Sequence, residues 1–154
     1  MKLEIGDKAP DFKGIIQNGE IVSLSDYKGK KLILFFYPKD NTPGCTAEAC
    51  NLRDNYEVLQ EKGFELLGVS PDTELKHKNF IAKKNLPMNL LADTEKVVLE
   101  AYGAWGEKKL YGRTYMGVLR STFIIDENGN IEKIFPKVKT KLHTEQILET
   151  YANN

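Results

Sequence analysis

The chain has 154 residues, 41% of them hydrophobic and 29% charged, enough for one compact core that would bury ~68–70% of the surface the unfolded chain exposes. Its 22 Lys plus Arg balance 22 Asp plus Glu, so a formal net charge of +0 provides no general field to attract nucleic acid or an anionic membrane, and specificity has to come from a local site. No run approaches the roughly 18 apolar residues of a membrane span, and residues 1–12 mix charges where a signal peptide has an apolar core, so the expectation is a cytoplasmic protein with neither membrane nor nucleic acid as partner.

No repeat or long linker divides the chain, and residues 1–154 are expected to form a single domain. Phe12 to Ile16 and Glu20 to Leu24 flank Asn18-Gly19, a tight-turn dipeptide, and predict an N-terminal hairpin. Lys31 to Tyr37 is apolar after its lysine, as in a strand covered on both faces, and Pro38 stops it because proline cannot donate to a ladder. A loop, Lys39 to Pro43, leads into a helix predicted from about Gly44 to Lys62 and closed at Gly63. Phe64 to Val69 reads as a second strand. Thr73 to Lys84 follows as an amphipathic helix with Leu75, Phe80 and Ile81 inward, which gives the βαβ rhythm of a parallel pair. A short strand at Asn89 to Leu91 and a short helix from Lys96 to Tyr102 come next. Ser121 to Ile125 and Ile131 to Phe135 form a second hairpin around Asp126 to Asn130, and Leu142 to Ala152 a closing helix with Ile147, Leu148 and Tyr151 on one face. The fold class is α/β, a mixed central sheet with helices on both sides.

Two cysteines are too few for a disulfide framework. Cys45 falls where a strand has ended and a helix begins, near unpaired first-turn N–H groups that favour a thiolate; otherwise it is a buried small hydrophobe. Cys50 follows five residues later. On an unbroken helix that spacing puts the two Cα atoms ~8–9 Å apart and ~140° round the axis. Bridged Cα atoms lie within about 7 Å, so Cys50 is either a core residue or a partner that Cys45 meets only after the helix unwinds by about one and a half turns. Gly44 and Asn51 mark that stretch as the easier one to release, with Leu52, Tyr56 and Leu59 staying packed.

The spacing is not the C-x-x-C of dithiol oxidoreductases, and two cysteines with only His77 and His143 match no zinc spacing, so no metal is expected. A cysteine hydrolase would need a histidine base beside Cys45. Both histidines stand next to or near lysines and read as solvated.

The segment from Tyr37 to Cys50 resembles the active site of the peroxiredoxins, specifically the bacterioferritin-comigratory-protein or Q-type subfamily. The family pattern Pro-x-x-x-Thr-x-x-Cys fits Pro38, Thr42 and Cys45 without a gap, and Arg120, within Gly117 to Asp126, resembles the family's second-segment arginine. The likeness runs from Gly6 to the final helix. It implies a thioredoxin-like fold and a peroxide, hydrogen peroxide or an organic hydroperoxide, as oxidant. Cys45 would be the peroxidatic and Cys50 the resolving cysteine of an intramolecular disulfide, with Thr42 and Arg120 completing the catalytic set and Pro38, Gly44 and Glu48 around the substrate. No cofactor is implied, and a monomer reduced by thioredoxin or a similar dithiol protein is.

The chemistry asks for the same residue types. Attack on a peroxide oxygen needs a thiolate, an aligned O–O bond and stabilised charge on the departing oxygen, which a permanently charged, forked arginine supplies. Thr42 gives and accepts hydrogen bonds at the peroxide or caps the helix. Glu48, one turn beyond Cys45, orients Arg120 or is simply an acid favoured in a first turn. Pro38 and Pro43 fix the loop. Two other functions use the same cysteines: a thioredoxin-like disulfide reductase, which lacks its C-x-x-C here, and a redox-sensing interaction protein whose Cys45/Cys50 switch exposes a binding surface.

Overall fold

The computed structural model describes residues 2–152. Its first hairpin is β1 (Lys13–Ile16) and β2 (Ile21–Ser23), turned at Gly19 with a φ of +86°, the left-handed region that glycine enters without a Cβ clash. The apolar run becomes β3 (Lys31–Phe36), followed by α1 (Pro43–Asp54), α2 (Tyr56–Glu61), β4 (Phe64–Ser70), α3 (Glu74–Lys84), β5 (Asn89–Ala92) and α4 (Val97–Ala101). Then come β6 (Trp105–Leu110), β7 (Arg113–Val118), β8 (Ser121–Ile125), β9 (Ile131–Phe135) and α5 (His143–Glu149), the last entered through a 3-10 turn at Thr140–Leu142.

Among the described residues seven strands form one sheet in the order β2-β1-β5-β4-β3-β8-β9. β3 runs parallel to β4, β4 parallel to β5, and β3 antiparallel to β8, so the sheet is mixed as expected. Side chains alternate across β3 with a period of two. Leu32, Leu34 and Phe36 enter one core with Val98 and Leu99 of α4; Ile33, Phe35 and Tyr37 enter the other with Leu52 of α1, Leu59 of α2, Phe80 of α3 and Ile147 of α5. Each such fully buried apolar side chain is worth about 1.5–3 kcal/mol relative to an exposed one, which is why β3 carries no polar position after Lys31.

Two local expectations are corrected, and one segment without an expectation takes shape. The single helix predicted over 44–62 is two, because Asn55 Nδ2 donates to the Asn51 carbonyl at 2.8 Å and the backbone leaves the helix at Asn55 with φ −110° and ψ 10°. On α3 Phe80 and Ile81 face the core as expected, but the third inward residue is His77, while Leu75 is 64% exposed. Between α4 and β8 the chain forms a hairpin, β6 with β7, that pairs only with itself and turns at Tyr111 and Gly112, both at positive φ. No described helix is long and apolar enough to cross a membrane.

Candidate active site

The carboxyl end of β3 delivers the chain into the loop that holds Pro38 and Thr42 and leads to Cys45. Pro38 ends the ladder, Asn41 takes a left-handed turn at φ +63°, and Thr42 is extended at φ −91° and ψ 157°, which makes it the N-cap of α1. Pro43 then occupies the first helical position, where the N–H it lacks would have had no partner. The first intrahelical bond runs from Thr46 N to the Thr42 carbonyl, so Cys45 lies in the open first turn. Its side chain is buried, with Cys50 half-buried further along the same helix.

Arg120, in the link between β7 and β8, reaches this turn from the neighbouring strand. Its Nη2 donates to Cys45 Sγ at 3.2 Å and its Nη1 to Glu48 Oε1 at 2.7 Å. Burial works against its charge, but Cys45 and Glu48 together hold its pKa above the ordinary value. Gly44 is small for a reason visible here: a Cβ on it would meet Arg120 Nη2 at 3.2 Å. Thr42 Oγ1 donates to the Lys39 carbonyl at 2.8 Å and makes no side-chain cap bond, which leaves its lone pairs for an incoming O–H. Arg120 thus touches both Cys45 and Glu48, with Gly44 against the arginine and Thr42 and Pro38 in the adjoining loop.

Both histidines depart from the solvated reading, each being 0% exposed. His77 Nδ1 lies 2.6 Å from Asp40 Oδ2, and its Nε2 donates to the Leu91 carbonyl at 3.0 Å. Tyr37 Oη donates to Asp40 Oδ1 at 2.6 Å, Asp40 N to Asp72 Oδ2 at 2.8 Å, and Ser70 Oγ to the same Asp72 oxygen at 2.7 Å. This buried network pins the active-site loop to β4, β5 and α3. Asp40, Asp72 and His77 are close enough to hold a cation, yet Asp40 already faces Tyr37 and His77, and Asp72 Oδ2 accepts from the Asp40 amide and the Ser70 hydroxyl.

His143 stands behind Glu48. Gln146 donates from Nε2 to the Lys137 carbonyl at 2.8 Å and accepts the Lys139 amide on Oε1, which fixes its orientation. That Oε1, 2.9 Å from His143 Nδ1, therefore accepts from it, and Thr122 Oγ1 donates to His143 Nε2 at 2.8 Å. Burial and the nearby Arg120 charge push His143 down to about 4, so the ring is neutral at pH 7. The sequence does hold a signal for these residues. His77 and Phe80 are spaced i, i+3, and His143 and Ile147 i, i+4, each histidine sharing a helix face with a core residue.

The AhpC/TSA family matches residues 5–134. Peroxiredoxin Bcp of Bacillus subtilis is 51% identical over 150 residues, covering 97% of this chain and 96% of its own. Peroxiredoxin Bcp of Escherichia coli is 44% identical over 146 residues, covering 95% and 94%. Among solved structures, PrxQ of Xylella fastidiosa superposes with a TM-score of 0.91 at 30% identity, covering 98% of this chain and 96% of that one. The Xanthomonas campestris bacterioferritin comigratory protein, studied for alkyl peroxide reduction, superposes with a TM-score of 0.88 at 30% identity, covering 96% of each chain.

Proposed function

The chain belongs to the AhpC/TSA family, in its peroxiredoxin Bcp and PrxQ branch, with a thioredoxin-like fold, and is a thiol-dependent peroxidase; from that premise we propose that Cys45 attacks the peroxide and Cys50 resolves the product. The observation that carries the assignment is Arg120 Nη2 aimed at Cys45 Sγ at 3.2 Å in the open first turn of α1. A thiolate at that sulfur attacks one peroxide oxygen, the O–O bond breaks, Cys45 becomes a sulfenic acid, and the other oxygen leaves as hydroxide or alkoxide. Arg120 offers its positive charge first to the thiolate and then to the departing oxygen, while Thr42 orients the peroxide.

Cys50 then attacks the sulfenic sulfur, water leaves, and a disulfide forms. On the continuous α1 the two Cα atoms are held ~8–9 Å apart, so this step follows opening of the first turns of the helix. Thioredoxin or a similar dithiol protein restores both thiols to a monomer in the cytoplasm. Hydrogen peroxide and organic hydroperoxides are both substrates on this reading, the second supported by the alkyl peroxide reduction of the Xanthomonas campestris relative.

Coupled oxidation of thioredoxin by peroxide tests the assignment. Wild type turns over; Cys45→Ser does not; Cys50→Ser takes up one oxygen and stops. Turnover by Cys45→Ser would overturn it.

A further inference from the structure

Among the described residues one buried side-chain N or O atom has no hydrogen-bond partner, Glu48 Oε2. A lone unsatisfied oxygen at 1% exposure, one helical turn from the reacting sulfur, calls for an explanation. Arg120 serves both acids of this cluster, giving Nη1 to Glu48 and Nη2 to Cys45. The other group facing Glu48 is His143 Nε2 of α5, 3.9 Å from Oε2, and that nitrogen is neutral and already takes the Thr122 hydroxyl of β8. No second positive charge offsets a second negative one. A thiolate and a carboxylate together would leave the cluster with a net buried charge, whereas one proton shared between the two acids keeps it neutral. Burial raises the Glu48 carboxyl to about 7 in spite of the pull of Arg120.

Resting on the assignment of Cys45 as the attacking thiol, we propose that Glu48 is a redox-linked proton site: its carboxyl holds a proton while Cys45 is a thiolate and gives it up when Cys45 is oxidised. The step balances without another reactant. The Sγ–O bond forms and the O–O bond breaks, sulfur is oxidised and the peroxide reduced; the oxygen leaving as RO⁻ ends as ROH, and Glu48 ends as a carboxylate paired with Arg120. The cluster stays neutral throughout. Glu48 is coupled to the sulfur by the Arg120 charge that the two acids share. Once ionised, its buried carboxylate favours the opening of α1 that carries it to water, so oxidation itself prepares the helix for Cys50.

Infrared difference spectroscopy of Cys50→Ser before and after one equivalent of hydrogen peroxide reads this directly. A carboxylic-acid C=O band should disappear as carboxylate bands grow, shift on labelling with 13C-glutamate, and be absent when Glu48→Gln is added. One oxygen gained by mass with no acid band lost overturns the proton site; no oxygen gained overturns the role of Cys45 instead. An indicator dye in weak buffer gives the second readout: Cys50→Ser takes up no proton per peroxide at neutral pH, and the variant that also carries Glu48→Gln takes up one. No uptake by that variant would likewise overturn the proposal.

Discussion

The Thr144 amide of α5 donates to Asn51 Oδ1 of α1 at 2.7 Å, and Asn51 Nδ2 returns bonds to the Lys141 carbonyl at 3.0 Å and Glu145 Oε1 at 3.1 Å. Asn51 therefore anchors α1 immediately after Cys50, where its residue type alone reads as a point of release.

The anchor sets the limit of the opening that disulfide formation requires. Hydrogen exchange of the oxidised protein should show lost protection over residues 45 to 50 and retained protection from Asn51 on. Asn51→Ala should extend the loss into α5 and lower stability by about 1–2 kcal/mol, since the Thr144 amide loses its partner. Identical exchange in reduced and oxidised protein would refute the opening.

Arg120→Met keeps the length of the side chain and removes both donors. Peroxide consumption should fall by ~10² or more, the cost of removing one preorganised charge-stabilising donor. Stopped-flow measurement with hydrogen peroxide checks this, and an unchanged rate would take Arg120 out of the reaction.

Gly44→Ala separates stability from reactivity. Alanine suits a helix better than glycine by roughly 0.5–1 kcal/mol. Its Cβ, however, would meet Arg120 Nη2 at 3.2 Å and push the guanidinium aside. Thermal unfolding should be unchanged or later, while the peroxide rate falls several-fold; a variant as fast as wild type would show that Arg120 tolerates displacement.

Glu48 and His143 titrate in opposite senses. Glu48 is raised from 4.5 to about 7, so the folded protein holds the extra proton, and its contribution to stability is complete below 4.5 and lost as pH rises through about 7. His143 is lowered from 6.5 to about 4, so the unfolded chain holds the extra proton, and stability is lost as pH falls from 6.5 towards 4. Each effect is worth at most about 3 kcal/mol and the two largely cancel. Urea midpoints should therefore be nearly flat with pH in wild type. Glu48→Gln should rise between pH 4 and 6.5, and His143→Asn should fall between pH 4.5 and 7; matching profiles for the two variants would contradict the assignment.

Near-continuous apolar runs made β3 and β4 legible, because a strand covered on both faces has few polar positions, Lys31 in β3 and Glu65 and Ser70 in β4. The hairpin of β6 and β7 was not legible. Its exposed strands, with Lys108, Lys109, Arg113 and Thr114, bury little, so no alternation marks them. At the site, Cys45, Glu48 and Arg120 were readable from residue type and motif. His143 and the Asp40 to His77 network were hidden by their neighbours: Lys76 and Lys78 lie about 100° round the helix from His77, and a linear reading averages what the helix separates.

Cys45 and Arg120 are 75 residues apart in the chain, and what joins them is the antiparallel register of β3 with β8, which ends at the pair Phe36 and Ser121. Such a pairing pays its loop-closure entropy before it gains contacts, so it belongs to the slow part of folding, whereas α1 is local and forms early. A refolding chain thus passes through a period in which Cys45 stands on its helix without its arginine. Recovery of peroxide reactivity should lag behind recovery of helical circular dichroism, and a chain cut before β8 should carry Cys45 as an ordinary thiol.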